Sequence, residues 1–391
     1  MTAEKRGLEA PHRRVERGPR NPGADGGTGI RRGLGLRRAP GRLVEKVAVR
    51  AYIAATWIVA HVPGPLSRWV IGTGSQAGYL FWPSKRRWSN ANFGHVSGLP
   101  PDDLRVRRMA LGAYREYARY LVEVMHLESM SAERAGQLVA QSELDGVEAI
   151  WRRSKGGLIF ALGHVGNNEA VAAAAAGRGW PVNVVADDTA FPEMFARFTA
   201  LREAWGVHVI PWRNLREIYG VLKRREMLAL LVDWGYRADG IPVRLFDAWT
   251  TLPAGPASLA AKTGSLILPL SIRRQPNGEF AVAYSDPIEV ASSAPADIQA
   301  ATQAIADALA ATIGAAPQQW YSFKPMWPDT PEESAELARR AAVMLAGGPA
   351  AQAVVAEALA PEAAIPVGSA EPPRDPPAGI DAAIEPDGAG A

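Results

Sequence analysis

The sequence predicts an α/β protein with a mostly parallel central sheet flanked by helices, an N-terminal helical part and disordered ends. Three observations predict it. After Gly146, short apolar runs alternate with helical stretches, the pattern of strands joined by crossover helices. Before that point the apolar residues recur at helical spacing only. The first 42 residues nearly lack aromatic and β-branched residues, and the last 43 are Ala/Pro-rich and acidic. Over 391 residues, 48% hydrophobic and 21% charged residues are ordinary for a globular chain.

Residues 1–42 hold ten Arg, one Lys and four acids, about +7, and read as a basic disordered arm. Residues 349–391 are Ala/Pro-rich with seven acids and one Arg, and read as an acidic tail. The net charge of +3 is therefore set as much by the ends as by the folded part. The arm has no aromatic interleaving, so no nucleic-acid partner is expected. The absence of cysteine excludes disulfides, thiolate metal sites and thiol nucleophiles.

The folded part is expected from residue 43 to 330. Ala51–Val62 and Trp69–Trp82 are apolar stretches too short to span a bilayer, which needs about 20 residues. Tyr79, Phe81, Trp82 and Trp88 lie beside Lys85, Arg86 and Arg87, a mixture suited to a headgroup boundary. The N-terminal helical part is therefore read as membrane-facing. Asp102–Met125 follows as a helix, with Leu111, Tyr114, Ala118, Leu121 and Met125 on one stripe. Strands are expected at Gly157–Leu162, Val182–Val185, Val207–Ile210, Met227–Val232, Val243–Phe246, Leu266–Leu270 and Phe280–Tyr284. Helices are expected at Ala170–Ala176, Phe195–Trp205, Leu215–Arg225, Pro256–Thr263, Ile298–Ile313 and Pro331–Leu345, with a C-terminal helix allotted residues 331–348.

The first strand runs straight into Gly163-His164-Val165-Gly166-Asn167-Asn168-Glu169. In open α/β sheets, ligands bind beyond the carboxyl ends of strands. Glycines on both sides of His164 allow a tight turn, and Asn168 is positioned to cap the following helix. A histidine oriented by a carboxylate is a general base, one ring nitrogen held and the other free to take a proton. Two carboxylates lead as partners, Glu169, five residues on, and Asp233, at the end of the Met227–Val232 strand; Asp187-Asp188 after Val182–Val185 is a third candidate that reads better as turn chemistry. The phosphate-loop, dinucleotide, serine-elbow and H-E-x-x-H motifs are absent.

These residues resemble the bacterial lipid acyltransferases of the lipid A lauroyl/myristoyl type, and within them the phosphatidylinositol mannoside acyltransferase branch. The shared signature is a His, four residues, then Asp or Glu, here His164 to Glu169. The likeness extends over about residues 50–328. It takes in Asn92-Phe93, the segment Phe195–Gly206 with Arg197 and Arg202, and Leu228–Gly235 with Asp233. It is most specific from Val243 through Thr250 and Leu252–Ala257 to Thr263-Gly264, and closes on Gln319-Trp320-Tyr321 to Trp327. The chain departs from the pattern at Gly235, where relatives carry a second acid, and at Asn168, where they often carry Trp.

The resemblance implies direct transfer of an acyl chain from a thioester, acyl-CoA or acyl carrier protein, to a lipid hydroxyl, with no cofactor and no metal. His164 would be the base, with Glu169 or Asp233 as partner. Arg197, Arg202 and Asn168 would bind substrate, the arginines through phosphates. A peripheral location on the cytoplasmic face of the cell membrane is implied. The alternative is a catalytically weakened lipid-binding relative.

Overall fold

The computed structural model describes residues 42–188 and 192–360. The basic arm and the tail beyond residue 360 lie outside them. The N-terminal part is four helices: α1 (Arg42–His61), α2 (Gly64–Phe81), α3 (Pro83–Ser97) and α4 (Leu104–Leu127). Pro63 and Pro83 set their breaks, since proline cannot continue a helix but fits its first turn. Gly98 ends α3 in the left-handed region, and the Asp103 carboxylate accepts from the Arg105 N–H to start α4. The expected aromatic-basic rim at Lys85–Trp88 is thus the first turn of a helix.

Short α5 (Ala132–Gly136) and α6 (Gln141–Arg153) lead into the sheet. Its strands are β1 (Leu158–Leu162), β2 (Val182–Ala186), β3 (His208–Pro211) and β4 (Met227–Leu231), with α7 (Asn168–Gly177), α8 (Pro192–Ala204) and α9 (Leu215–Lys223) between them. A hairpin of β5 (Ile241–Leu245) and β6 (Ala248–Leu252) follows, then α10 (Gly255–Thr263), β7 (Leu266–Arg274) and β8 (Phe280–Tyr284). The sheet order is β3-β2-β4-β1-β7-β8. Every pairing is parallel except β7 with β8. All five residues of β1 are buried, as expected for a central parallel strand covered on both faces.

One apolar cluster lies on each side. Ile159, Ala161, Leu228 and Ile267 face α4, α9, α10 and the long helix α11 (Pro295–Ala315). Phe160, Leu162, Met227 and Leu268 face α6 and the alanines of α7. The two faces alternate along β1 because strand side chains have period two.

Two expectations are corrected here. The run Val243–Phe246 is not a strand of the central sheet. Only Phe246 and Asp247 separate β5 from β6, both at positive φ (50° and 63°), and so short a link permits only an antiparallel hairpin. The acidic tail does not begin at residue 349. After α12 (Pro331–Ala346), Pro349–Leu359 forms α13, which buries Ala351 and Val355 beside Ile241, Ala257 and Met344. Alanine's high helix propensity and this apolar seam outweigh the low complexity of the segment.

Among the described residues no single helix is long and apolar enough to cross a membrane; α12 and α13 pass that test only jointly, bent by 118°. Helices α1 and α2 and the junction after them instead expose large apolar side chains. Trp57 is 63% exposed, Trp69 66% and Phe81 84%, with Ile53, Ile58, Leu66 and Trp82 also exposed.

Candidate active site

Strand pairing builds the site. Leu162 pairs with Leu231, and one step beyond the ladder the Val232 N–H still donates to the Leu162 carbonyl (2.9 Å). His164 and Asp233 therefore leave adjacent parallel strands at the same level. The chain from β1 goes to β2, beyond β4, and the chain from β4 goes to β7, beyond β1. The carboxyl ends of strands at such a reversal are where open α/β sheets bind ligands.

The His164 Nδ1 lies 2.6 Å from Asp233 Oδ1, and the His164 backbone N–H donates to Oδ2 at 2.8 Å. The Trp320 indole N–H donates to the same Oδ2, also at 2.8 Å. Asp233 is 2% exposed. Burial by itself would raise its carboxyl; the His164 ring and the His164 and Trp320 donors outweigh that and hold it below the ordinary carboxylate value. With Asp233 on Nδ1, the ring's Nε2 is the nitrogen left to exchange a proton. The Trp234 ring meets the His164 ring edge-on at 5.3 Å, and the Lys324 Nζ lies over the Trp234 ring at 4.9 Å.

The glycines around His164 are there for space. A Cβ on Gly163 would sit 2.7 Å from Leu309, and one on Gly166, at φ 65°, 2.0 Å from the Ile272 carbonyl oxygen. The departure at Gly235 has a backbone reason as well: its φ is 114°, a conformation L side chains rarely adopt, and a Cβ would press on Pro325.

The other expected site residues divide. Glu169 is on α7, and its carboxylate is held by Arg202 of α8 in a two-pronged pair (3.0 and 2.5 Å). Of the two carboxylates left open for His164, the structure places Asp233 on it and Glu169 elsewhere. Burial disfavours the Arg202 charge, but Glu169 more than offsets this and raises the guanidinium. Arg197 pairs with Glu128, which also accepts from the Tyr52 hydroxyl (2.7 Å), so α1, α4 and α8 meet there. Both arginines expected on phosphates are thus paired with carboxylates in this structure. Asn168 does not cap α7: Asn167 does, accepting from the Ala170 N–H (3.2 Å). Asn168 instead donates to the Gly163 carbonyl (3.2 Å). Its Oδ1 is buried with no hydrogen-bond partner among the described residues.

A cavity runs beneath α7, with roughly 780 Å³ of empty space counting its open side. Its walls are apolar, among them Phe160, Leu162, Val184, Leu231 and Leu270, and Trp180 closes part of it. The polar lining is Asn168, Glu169 and Arg202. His164 is not in its wall; Asn168, through its bond to Gly163, links the two.

Sequence reasoning did not assign a role to several residues here. Arg274, at the end of β7, is buried between Glu123 and Glu116 of α4. Glu123 also accepts from Asn167 (3.3 Å), and Gln319 makes two amide bonds to the Arg274 backbone (2.8 and 3.0 Å). Arg274 and Glu123 carried no signal in the sequence, since charged residues on a helix or strand end are ordinarily solvated. In the sequence, Gln319 and Trp320 stand out only as part of a closing segment.

Residues 39–328 match the family described as bacterial lipid A biosynthesis acyltransferase. The chain belongs to this family. It is thereby an acyltransferase. Among curated proteins it is similar to the phosphatidylinositol mannoside acyltransferase of Mycolicibacterium smegmatis, 28% identical over 283 residues, which span 70% of this chain and 90% of that protein. It is also 27% identical over 304 residues to the protein of that name from Mycobacterium tuberculosis, spanning 76% of this chain and 94% of the relative. Helices α12 and α13 lie beyond the stretch matched by the family.

Proposed function

We propose that this protein moves a fatty acyl chain from an acyl thioester to a hydroxyl group of a glycolipid or lysophospholipid, with a phosphatidylinositol mannoside as the first acceptor to test. The observation that carries this reading is the His164–Asp233 pair at 2.6 Å, at the carboxyl ends of adjacent parallel strands, in a chain of an acyltransferase family. In the proposed reaction His164 Nε2 takes the acceptor's hydroxyl proton while Asp233 holds Nδ1–H and stabilises the imidazolium. The acceptor oxygen forms a bond to the thioester carbonyl carbon. The tetrahedral oxyanion collapses, the C–S bond breaks, and the imidazolium returns the proton to the leaving sulfur. No acyl-enzyme forms, in keeping with a chain that has no cysteine. The cavity beneath α7 suits the acyl chain, its Asn168 end nearest His164.

The test is to give the purified full-length protein thioester donors of graded chain length, as CoA and as acyl carrier protein adducts, with phosphatidylinositol mannosides and lysophospholipids. An acylated lipid identified by mass spectrometry is the expected product. Thioester consumption without any acylated acceptor would overturn the reading. A lipid-binding relative without turnover would bind acceptor and leave both donors intact.

The same reading places the protein peripherally on the cytoplasmic face of the cell membrane. Its support is the exposed set Trp57, Trp69, Phe81 and Trp82 on α1, α2 and the junction after them, with Arg50, Arg68 and Arg87 exposed on α1, α2 and α3. Binding to anionic vesicles is expected at low salt and should weaken as salt screens the basic residues. Replacing Trp57, Trp69 and Trp82 with alanine should lower partitioning, by roughly 10-fold for each ring that is buried in lipid. Deleting residues 1–42 should reduce vesicle binding and spare activity on detergent-dispersed acceptor. A wild-type protein that stays in the supernatant with anionic vesicles at low salt would show that this apolar face has another use.

A further inference from the structure

Residues 319–321 return to the site 87 positions along the chain from Asp233, counted to Trp320, and touch both members of the pair. The Gln319 carbonyl accepts from the Gly166 N–H (3.0 Å), and the Tyr321 N–H donates to the His164 carbonyl (2.8 Å). Between them Trp320 forms an isolated antiparallel bridge with Val165. Its side chain is 0% exposed and meets the rings of Phe93 and Trp327 edge-on.

A buried indole N–H needs an acceptor, and packing alone would be satisfied by any of them. Trp151, Trp205 and Trp327 each use a backbone carbonyl, those of Arg225, Met130 and Leu245. Trp320 instead donates to the ionised carboxylate that holds His164. Its donation has two consequences. Together with the His164 backbone N–H it occupies Oδ2, so the carboxylate cannot turn about its own bond without breaking two hydrogen bonds, and Oδ1 stays on the imidazole. It also shares the negative charge that Oδ1 presents to the ring.

We propose that Trp320 is a positioning residue for acyl transfer, its indole N–H setting both the orientation and the charge of the Asp233 carboxylate toward His164. This rests on the acyl-transfer reading of the site. Among the ionisable groups around the pair, Glu169 is with Arg202, Arg274 with Glu116 and Glu123, and Lys324 lies over the Trp234 ring, while His95, stacked on Trp327, is pushed down by burial. The phenols of Tyr120 and Tyr321, stacked at 5.3 Å, are both pushed up by burial. None of these is altered by changing the indole.

The test is Trp320→Phe, which keeps an aromatic ring and removes the N–H. Its kcat is expected to fall on the order of 10-fold, the usual worth of one hydrogen bond to a charged group. The acceptor KM should stay within about twofold, because the indole does not face substrate. The acid limb of kcat/KM should move to higher pH, since a carboxylate lacking one donor holds the imidazolium more tightly. An unchanged kcat, or a loss by one factor at every pH, would overturn the proposal.

A second readout keeps the ring in place, should the Phe variant fail to fold. In the wild type the Trp320 indole N–H resonance should shift through the same pH range as the acid limb, and that shift should vanish in Asp233→Asn. An indole resonance indifferent to pH would also overturn it. If the wild type transfers no acyl group at all, the functional reading fails instead, and the resonance still reports whether the indole senses the pair.

Discussion

Replacing His164 with alanine is expected to lower acyl transfer by at least about 10²-fold, the low end of what a positioned general base supplies. The fold should survive. The backbone of residue 164 keeps its N–H on Asp233 and its carbonyl on the Tyr321 N–H, and neither bond needs the ring. Asp233 loses one partner but retains two donors on Oδ2, so the stability cost should be about 1–3 kcal/mol, that of one missing hydrogen bond to a buried group. Steady-state rates and a thermal melt, taken together, check both halves. Turnover near that of the wild type would sink the mechanism, whatever the melt shows.

The next largest effect is expected from Asp233→Asn, a loss of about 10²–10⁴-fold. The two donors on Oδ2 favour keeping the amide oxygen there, which turns the amide N–H₂ toward His164 Nδ1. Nδ1 must then accept, the ring proton moves to Nε2, and the nitrogen that should take the acceptor's proton already carries one. Glu169→Gln should behave differently. It breaks the two-pronged pair with Arg202, in which the side chains are 10% and 19% exposed, and leaves a guanidinium without its counter-charge. Its signature should be a lower melting temperature, from a stability loss of about 1–3 kcal/mol given the partial exposure, with the smaller loss in kcat. A larger rate loss from Glu169→Gln than from Asp233→Asn would return Glu169 to the role of His164's partner. The pH dependence of stability follows from the Asp233 carboxyl, held low in the folded chain. Its contribution is present above the unfolded-state value and is lost as pH falls through the folded-state value.

Much of this was open to inspection in the linear chain, because it depends on neighbours a few residues apart. The strands at Val182, Met227, Leu266 and Phe280 and the helices at Leu215, Pro256 and Ile298 follow from apolar period and from proline and glycine breaks, and all are present. His164 at a strand end follows from Leu158–Leu162 running into Gly163. Two of the corrections show why the rest was not open to inspection. Asn167 and Asn168 are adjacent residues of the same type, and only the backbone angles at the turn decide which one caps α7. Val243–Phe246 carries the composition of a sheet strand, yet the two-residue turn after Leu245 sends the chain back on itself.

What the sequence alone determined, then, is the α/β class, the position of most elements and a histidine with two possible carboxylates. The choice between the carboxylates belonged to the tertiary structure. Glu169 is five residues from His164 but on α7, where Arg202 of α8 meets it; Asp233 is 69 residues away but level with His164 on the adjoining strand. Strand order and register are set by which whole faces can be buried against which, a sum over many residues that no local pattern encodes. The same holds for Trp320, whose indole reaches Asp233 only because α11 and the turn after it bring residues 319–321 back across the carboxyl ends of β1 and β4.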